Sequence, residues 1–190
     1  MVSLIVLLCP VAFGGEVVVH TAFSAGSEFL PSTSVASSGP VVRFELGAGP
    51  SAVQGYAVVL AALHNAQDAY TQMDTIGTAI FPGDFYLVRV GGGARVPFHV
   101  GRFEFTPHAN AGLAVLASPA DQDLYIQEFG SAPESGLKTA SYWAQGGGDV
   151  GVYLDDDHMA GMTLGMDAGL VGIAGVGFTI DARLGFFARL

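Results

Sequence analysis

From Phe178 to Leu190 apolar and polar side chains alternate almost without interruption. Phe178, Ile180, Ala182, Leu184, Phe186, Ala188 and Leu190 fall on one face of an extended strand, and Thr179, Asp181, Arg183, Gly185, Phe187 and Arg189 on the other. A helix would scatter these charges around its axis, so the period of two identifies a strand. The pattern recurs with Ala160, Met162, Leu164, Met166, Ala168 and Leu170 against Gly161, Thr163, Gly165, Asp167 and Gly169. It recurs again with Phe103, Phe105, Ala109, Ala111, Leu113 and Val115 against Glu104, Thr106, His108, Asn110 and Gly112. Eight such segments are predicted, at about residues 15–25, 38–48, 52–64, 84–98, 101–116, 139–154, 158–170 and 175–190, between stretches rich in Gly, Ser, Asp and Pro.

The alternation is decisive because the chain is so apolar. Its 190 residues are 51% hydrophobic and 13% charged, with 27 glycines and a mean hydropathy of +0.48, which is membrane-protein territory. A spanning helix needs about 18 to 20 consecutive apolar residues, and every apolar stretch is cut shorter, as Asp167 cuts the run from Met162 to Phe178. Lipid admits only helices and closed barrels, because no other backbone satisfies its own hydrogen bonds there. The expected fold is therefore all-β: a closed antiparallel up-and-down transmembrane β-barrel of eight strands. One domain, residues 15–190, accounts for it.

Met1 to Gly14 reads as the apolar core of an export signal, with Val2 to Val11 as its apolar region and Ala12 and Gly14 as small residues for cleavage. A buried first strand is the alternative. Cys9 is the single cysteine, so no internal disulfide forms, and Leu8 before it is too large for a lipoprotein acceptor site. The formal net charge of −10 argues against nucleic acid, which needs clustered Lys and Arg.

The connections alternate in length, as they do in outer-membrane barrels. Short ones fall at Gly49, Pro50 and Ser51, at His99, Val100 and Gly101, and at Asp155, Asp156 and Asp157; long ones run from Ala25 to Ser37, Asn65 to Gly83 and Ala117 to Lys138. The last, Val171 to Ala174, is short. Both chain ends then lie on one side, and the first strand pairs with the eighth.

Charge decides which face meets lipid. Arg43, Arg89, Arg95, Arg183 and Arg189 share the more polar face with Glu45, Glu104, Asp149, Asp167 and Asp181, a face without lysine and dense in glycine. A water-facing surface would carry far more charge. These ten residues are therefore expected to form a charge network inside a barrel too narrow for an open channel. Tyr86, Phe98, Phe103, Tyr142 and Tyr153, near strand ends, fit interfacial girdles. The remaining acidic residues, among them Glu28, Asp68, Asp74, Asp84, Asp121, Asp123, Glu128 and Glu134, fall in the predicted loops, with Lys138 opposing them.

In these features the chain resembles the small eight-stranded outer-membrane barrels of the OmpA/OmpX type, and more loosely the OmpW-like group. Gly91 to Phe105 and Gly146 to Met162 carry the likeness best: a glycine-rich strand, a tight turn and a returning strand. The final strand resembles the assembly-signal strand of such proteins, though Leu190 stands where an aromatic residue is usual. The resemblance implies a bacterial outer-membrane location, with the membrane's lipids and the barrel-assembly machinery as partners.

Some barrels of this kind are enzymes, with recognisable catalytic patterns. Lipid A deacylases use a His-x-Ser element, and none of His20, His64, His99, His108 or His158 is followed by Ser two residues on. No Gly-x-Ser-x-Gly elbow occurs. His108 with Glu104 could form an acid/base pair, against the more ordinary reading of a hydrogen-bonded interior histidine. Asp155, Asp156, Asp157 and His158 are metal-ligand types that read better as a solvated turn, Gly91 to Gly93 lack the helix of a phosphate loop, and Trp143 reads as a rim residue. No catalytic residue, cofactor site or metal site is therefore expected. The function expected is structural, adhesive or partner-binding, carried by the longer loops. The alternatives are a narrow conduit or binding site for small apolar molecules, and a secreted soluble ligand-binding barrel of lipocalin type.

Overall fold

The computed structural model describes residues 17–31, 36–64, 85–117, 140–172 and 177–190; the segment read as an export signal lies outside them. The strands are β1 (Val17–Pro31), β2 (Ala36–Pro50), β3 (Gln54–His64), β4 (Phe85–Arg95), β5 (Phe98–Val100), β6 (Phe103–Ala117), β7 (Ala140–Tyr153), β8 (Ala160–Val171) and β9 (Gly177–Arg189). All pairings are antiparallel, in the order β4-β3-β2-β1-β9-β8-β7-β6-β5, and β4 also pairs with β6, which closes the sheet. β4 and β5 are two parts of one stave, since both lie against β6. The result is an eight-strand closed barrel in which the first and last strands meet, His20 opposite Arg189.

Where one strand was expected over 84–98, the stave breaks at Val96 and Pro97. Proline has no N–H for the ladder, and only the Val96 N–H reaches across, to the Pro107 carbonyl at 3.0 Å. The turn that follows sits at Gly101, with φ of 59°, and Arg102. At the next turn Asp155 accepts hydrogen bonds from the Met159 and Ala160 amides at 2.9 and 3.0 Å. Those bonds, that from Ala160 foremost, hold its carboxyl below the usual aspartate range.

The first connection departs from expectation. β1 and β2 remain paired out to Pro31 and Ala36, so residues 32–35 connect them instead of a long loop from Ala25. The alternation continues through that stretch, with Ser24, Glu28 and Leu30 buried and Ala25, Ser27 and Phe29 outward. Its serines disguise the outward face as loop. One end of the barrel thus carries the short turns after β2, β5 and β7, here the turn end, and the other the connections 32–35, 65–84, 118–139 and 172–176, the loop end.

The barrel is inside-out relative to a soluble protein. On β9, Phe178, Leu184 and Phe186 are exposed while Asp181, Arg183 and Arg189 are buried. A lipocalin-type barrel requires the reverse. On β6 the outward apolar positions run from Phe103 to Val115, about 40 Å along the strand and about 30 Å along the axis at the usual tilt, enough for an apolar band of about 25 Å. Tyr86 and Tyr142 ring the loop end of this surface, and Phe98 and Phe103 the turn end. Tyr153 does not join them: it points into the lumen and is 1% exposed.

Candidate functional site in the barrel lumen

Interior positions alternate with lipid-facing ones on every stave, so each inward charge must find its partner within the lumen. Three carboxylates stand side by side on adjacent strands, Glu28 on β1 opposite Asp181 on β9, and Asp181 opposite Asp167 on β8. Arg43 on β2 and Arg89 on β4 reach them from the facing wall, and Arg183 from β9 itself. Acids and guanidiniums brought together in this way neutralise each other where water is scarce.

Toward the loop end, Glu28 is bound by Arg89 and by His64, whose Nε2 lies 2.9 Å from Oε1. The Arg89 guanidinium also sits 5.8 Å above the Trp143 ring and 3.4 Å from Gln145 Oε1. Leu30, Val41, Leu60, Leu87, Ala114, Trp143 and Val171 are buried here as an apolar cluster. Trp143 is therefore a lumenal residue, 2% exposed, and not the rim residue expected from its place near a strand end.

In the middle, Asp167 is the hub. It receives Arg43, Arg183 at 3.0 Å, Gln145 and His108 Nε2 at 2.6 Å. Arg43 also engages Glu45, and Arg183 engages Asp181. Glycine makes this crowding possible, because a Cβ at Gly147 would fall within 2.1 Å of Met166 O and closer still to Asp167 Oδ1. His108 pairs with Asp167 and, at 3.3 Å, with Asp149, and not with Glu104. The register explains this: Asp149 neighbours Thr106 on β6, and Asp167 sits opposite Gly147, which sits opposite His108.

Toward the turn end, Glu104 is held by Arg189, the Tyr153 hydroxyl and Thr106 Oγ1 at 2.7 Å, with His99 Nε2 at 3.0 Å. Arg95 donates from Nε to Gln54 Oε1 at 2.8 Å. A cavity of about 30 Å³ bordered by Glu45, Arg95, Glu104, Asp149 and Arg183 lies between this group and the hub, the size of one or two water molecules.

Of the ten charges singled out from the sequence, nine are buried, and Asp149 is half-buried with a side chain 22% exposed. Pairs of 4.0 Å or less link seven of them, Arg43, Glu45, Arg95, Asp149, Asp167, Asp181 and Arg183, around the hub, whereas Arg189 pairs with Glu104 toward the turn end and Arg89 with Glu28 toward the loop end. The structure also adds members that the charge pattern does not reveal: Glu28, expected in a loop, with His20, His64, Gln54, Tyr56, Gln145 and Tyr153. The available signal was parity, since His20 and Glu28 share the inward register of Ser24, and Gln54, Tyr56 and His64 that of Leu60. Breaking such a buried pair is costly because a charge is stranded, even though intact pairs gain little over an apolar core.

Of the turn residues with metal-ligand chemistry, Asp155 caps backbone amides and Asp156 pairs with Arg102 at the surface. Among the described residues no group of three or more His, Cys, Asp or Glu is placed to hold a metal ion.

No family model matches the chain, and no curated protein matches it. Solved structures do. The chain is similar to Neisserial surface protein A, at 13% identity over 91% of this chain and 98% of that one, with a TM-score of 0.60. It is also similar to the outer membrane protein OprG from Pseudomonas aeruginosa, at 7% identity over 93% and 96%, with a TM-score of 0.52. The likeness is one of fold, and the fold is that of the small eight-stranded outer-membrane barrels.

Proposed function

We propose that the protein is a non-enzymatic barrel of the bacterial outer membrane, whose structural, adhesive or partner-binding role is carried by the segments at its loop end. The observation behind this reading is the inversion of the barrel: Arg43, Arg89, Arg183 and their acids fill the lumen while Phe23, Phe44, Leu184 and Phe186 face outward. A lumen tied up in ion pairs leaves recognition to the connections, of which 65–84 and 118–139 are the long ones. In such barrels long loops face outward and short turns face the periplasm, and membrane lipids and the barrel-assembly machinery are the partners this reading requires.

Two experiments test it. The chain from residue 15 onward, folded in detergent, runs on a gel with and without boiling; a heat-dependent mobility shift is expected, and its absence together with solubility without detergent overturns the membrane assignment. An epitope inserted within 118–139 is then expected to be reached by antibody on intact cells, and deletion of that segment to abolish surface attachment while the mobility shift persists.

The apolar cluster around Trp143 favours a second reading, a site for a small apolar molecule at the loop end. The ionic hub beneath it argues against passage. Permeation of small apolar solutes into liposomes carrying the protein, above the empty-liposome rate, would favour this reading over the first.

A further inference from the structure

At the turn-end mouth, side chains from four strands meet at one point: His99 from β5, Glu104 from β6, Tyr153 from β7 and Arg189 from β9. His99 Nε2 lies 2.7 Å from Arg189 Nη1, 3.0 Å from Glu104 Oε2 and 3.0 Å from the Tyr153 hydroxyl oxygen. Tyr153 and Arg189 both donate to Glu104 as well. Glu104, Tyr153 and Arg189 are buried, whereas the His99 side chain is 39% exposed, so protons from solvent reach this imidazole first.

One ring nitrogen cannot serve all three neighbours at once. A guanidinium has donors only, so Nε2 accepts from Arg189 only as a bare nitrogen, with the imidazole neutral and its proton on Nδ1. A proton on Nε2 reverses the preference. The nitrogen then donates to Glu104 or Tyr153, and in the imidazolium its contact with Arg189 sets donor against donor and cation against cation. Histidine is the side chain that ordinarily changes charge between about pH 5 and 8. The other ionisable groups around the cluster are His158, whose ring is 4.6 Å from that of Tyr153, and His20, opposite Arg189 on β1. Glu45, Arg95, Asp149 and Arg183 border the small cavity beyond Glu104, and Arg102 pairs with Asp156 on the surface outside.

In the neutral arrangement Arg189 closes the lumen. Its guanidinium lies over the rings of Tyr153 and Phe187, at 5.5 and 5.8 Å, and those rings meet edge to face at 5.2 Å. Phe187 and Glu104 in turn border the cavity of about 30 Å³ that separates this group from the hub. Displacing Arg189 therefore loosens the cover over that cavity and over Asp149 and Arg183 beside it.

We propose that His99 is a pH-operated clasp at the turn-end mouth: neutral, it holds Arg189 across the opening, and protonated, it turns to Glu104, releases Arg189 and admits water toward the ionic hub. In the orientation proposed above the clasp faces the periplasm, but its operation in the folded barrel does not depend on that orientation.

The test is side-chain nitrogen NMR of the isotope-labelled, detergent-folded protein between about pH 8 and 5. At the upper end His99 is expected to be neutral with its proton on Nδ1. Arg189 Nε is shielded from solvent in the structure. As the imidazolium forms, the Arg189 Nε–H signal is expected to shift with the same midpoint, and its protection from exchange, relative to free arginine at the same pH, to fall by about tenfold or more. His99→Gln, whose amide oxygen accepts from Arg189 without titrating, is expected to keep Arg189 protected throughout. His99→Lys, a cation throughout this range, is expected to leave it unprotected throughout, with the heat-dependent mobility shift present in both variants. A neutral His99 with its proton on Nε2, an Arg189 signal that does not follow the His99 titration, or a pH step that persists in folded His99→Gln overturns the proposal. The first two are read from the unsubstituted protein, so the test stands even where a variant does not fold.

Discussion

Glu28 on β1 and Arg89 on β4 form an ion pair across the barrel lumen, with exposures of 0% and 1%. Neither can turn to water if its partner is lost. Glu28→Leu strands the Arg89 guanidinium and removes a partner of His64, and is expected to destabilise the barrel by about 3–5 kcal/mol. Glu28→Leu combined with Arg89→Leu removes both charges and is expected to cost less than Glu28→Leu alone. Urea titration of the barrel folded into liposomes measures both; a double variant weaker than the single one would mean that the pair does not carry the coupling.

The lipid-facing assignment predicts a dependence on depth. Leu184 lies mid-strand on β9 with its side chain outward, and Val100 lies outward at the end of β5. Leu184→Arg is expected to cost about 2–4 kcal/mol and Val100→Arg about 0–1, as charge does at the midplane and interface of membrane barrels. The same unfolding titration checks this, and equal costs at the two sites would be incompatible with a bilayer around this face.

The strand pattern was legible because lipid on one side and a packed lumen on the other enforce strict parity, as on β9 and β6. Charge was legible for the same reason: an arginine such as Arg183 in the middle of an alternating strand has only the interior to occupy. What escaped was context that parity alone does not carry. Glu28 follows Gly26 and Ser27 and precedes Pro31, so local composition suggests loop, and only its pairing with β2 and β9 makes it strand. Trp143 and Tyr153 share chemistry with girdle aromatics, and their inward direction follows from counting register along β7 from Gln145. The partners of His108 required the stagger between β6, β7 and β8, which no single strand encodes.

Neighbouring glycines on β7 are predicted to behave oppositely. A Cβ at Gly147 would overlap Asp167 Oδ1 and the Met166 carbonyl, while one at Gly146 meets only His108 O at 3.6 Å, an ordinary contact on the lipid side. Gly147→Ala is therefore expected to lose about 1–3 kcal/mol through overpacking, and Gly146→Ala to be neutral or slightly stabilising, since glycine is a poor strand former. The contrast is read from the two unfolding midpoints, and a reversed order would mean that β7 faces the other way.

The turn between β7 and β8 should order with pH through Asp155. Its carboxyl accepts from the Ala160 and Met159 amides, which lowers its pKa in the folded protein relative to the unfolded chain. The stabilisation is therefore present above the unfolded pKa and is lost as pH falls through the lower, folded value. Hydrogen-exchange protection of the Met159 and Ala160 amides is expected to hold at neutral and mildly acidic pH and to fall only below the ordinary aspartate range. Asp155→Ala should remove that protection at every pH, with the mobility shift of the whole barrel unchanged, because the group is solvent-exposed and the strands on either side are held by their own ladders. Protection that survives in Asp155→Ala would show that the turn is ordered by its backbone alone.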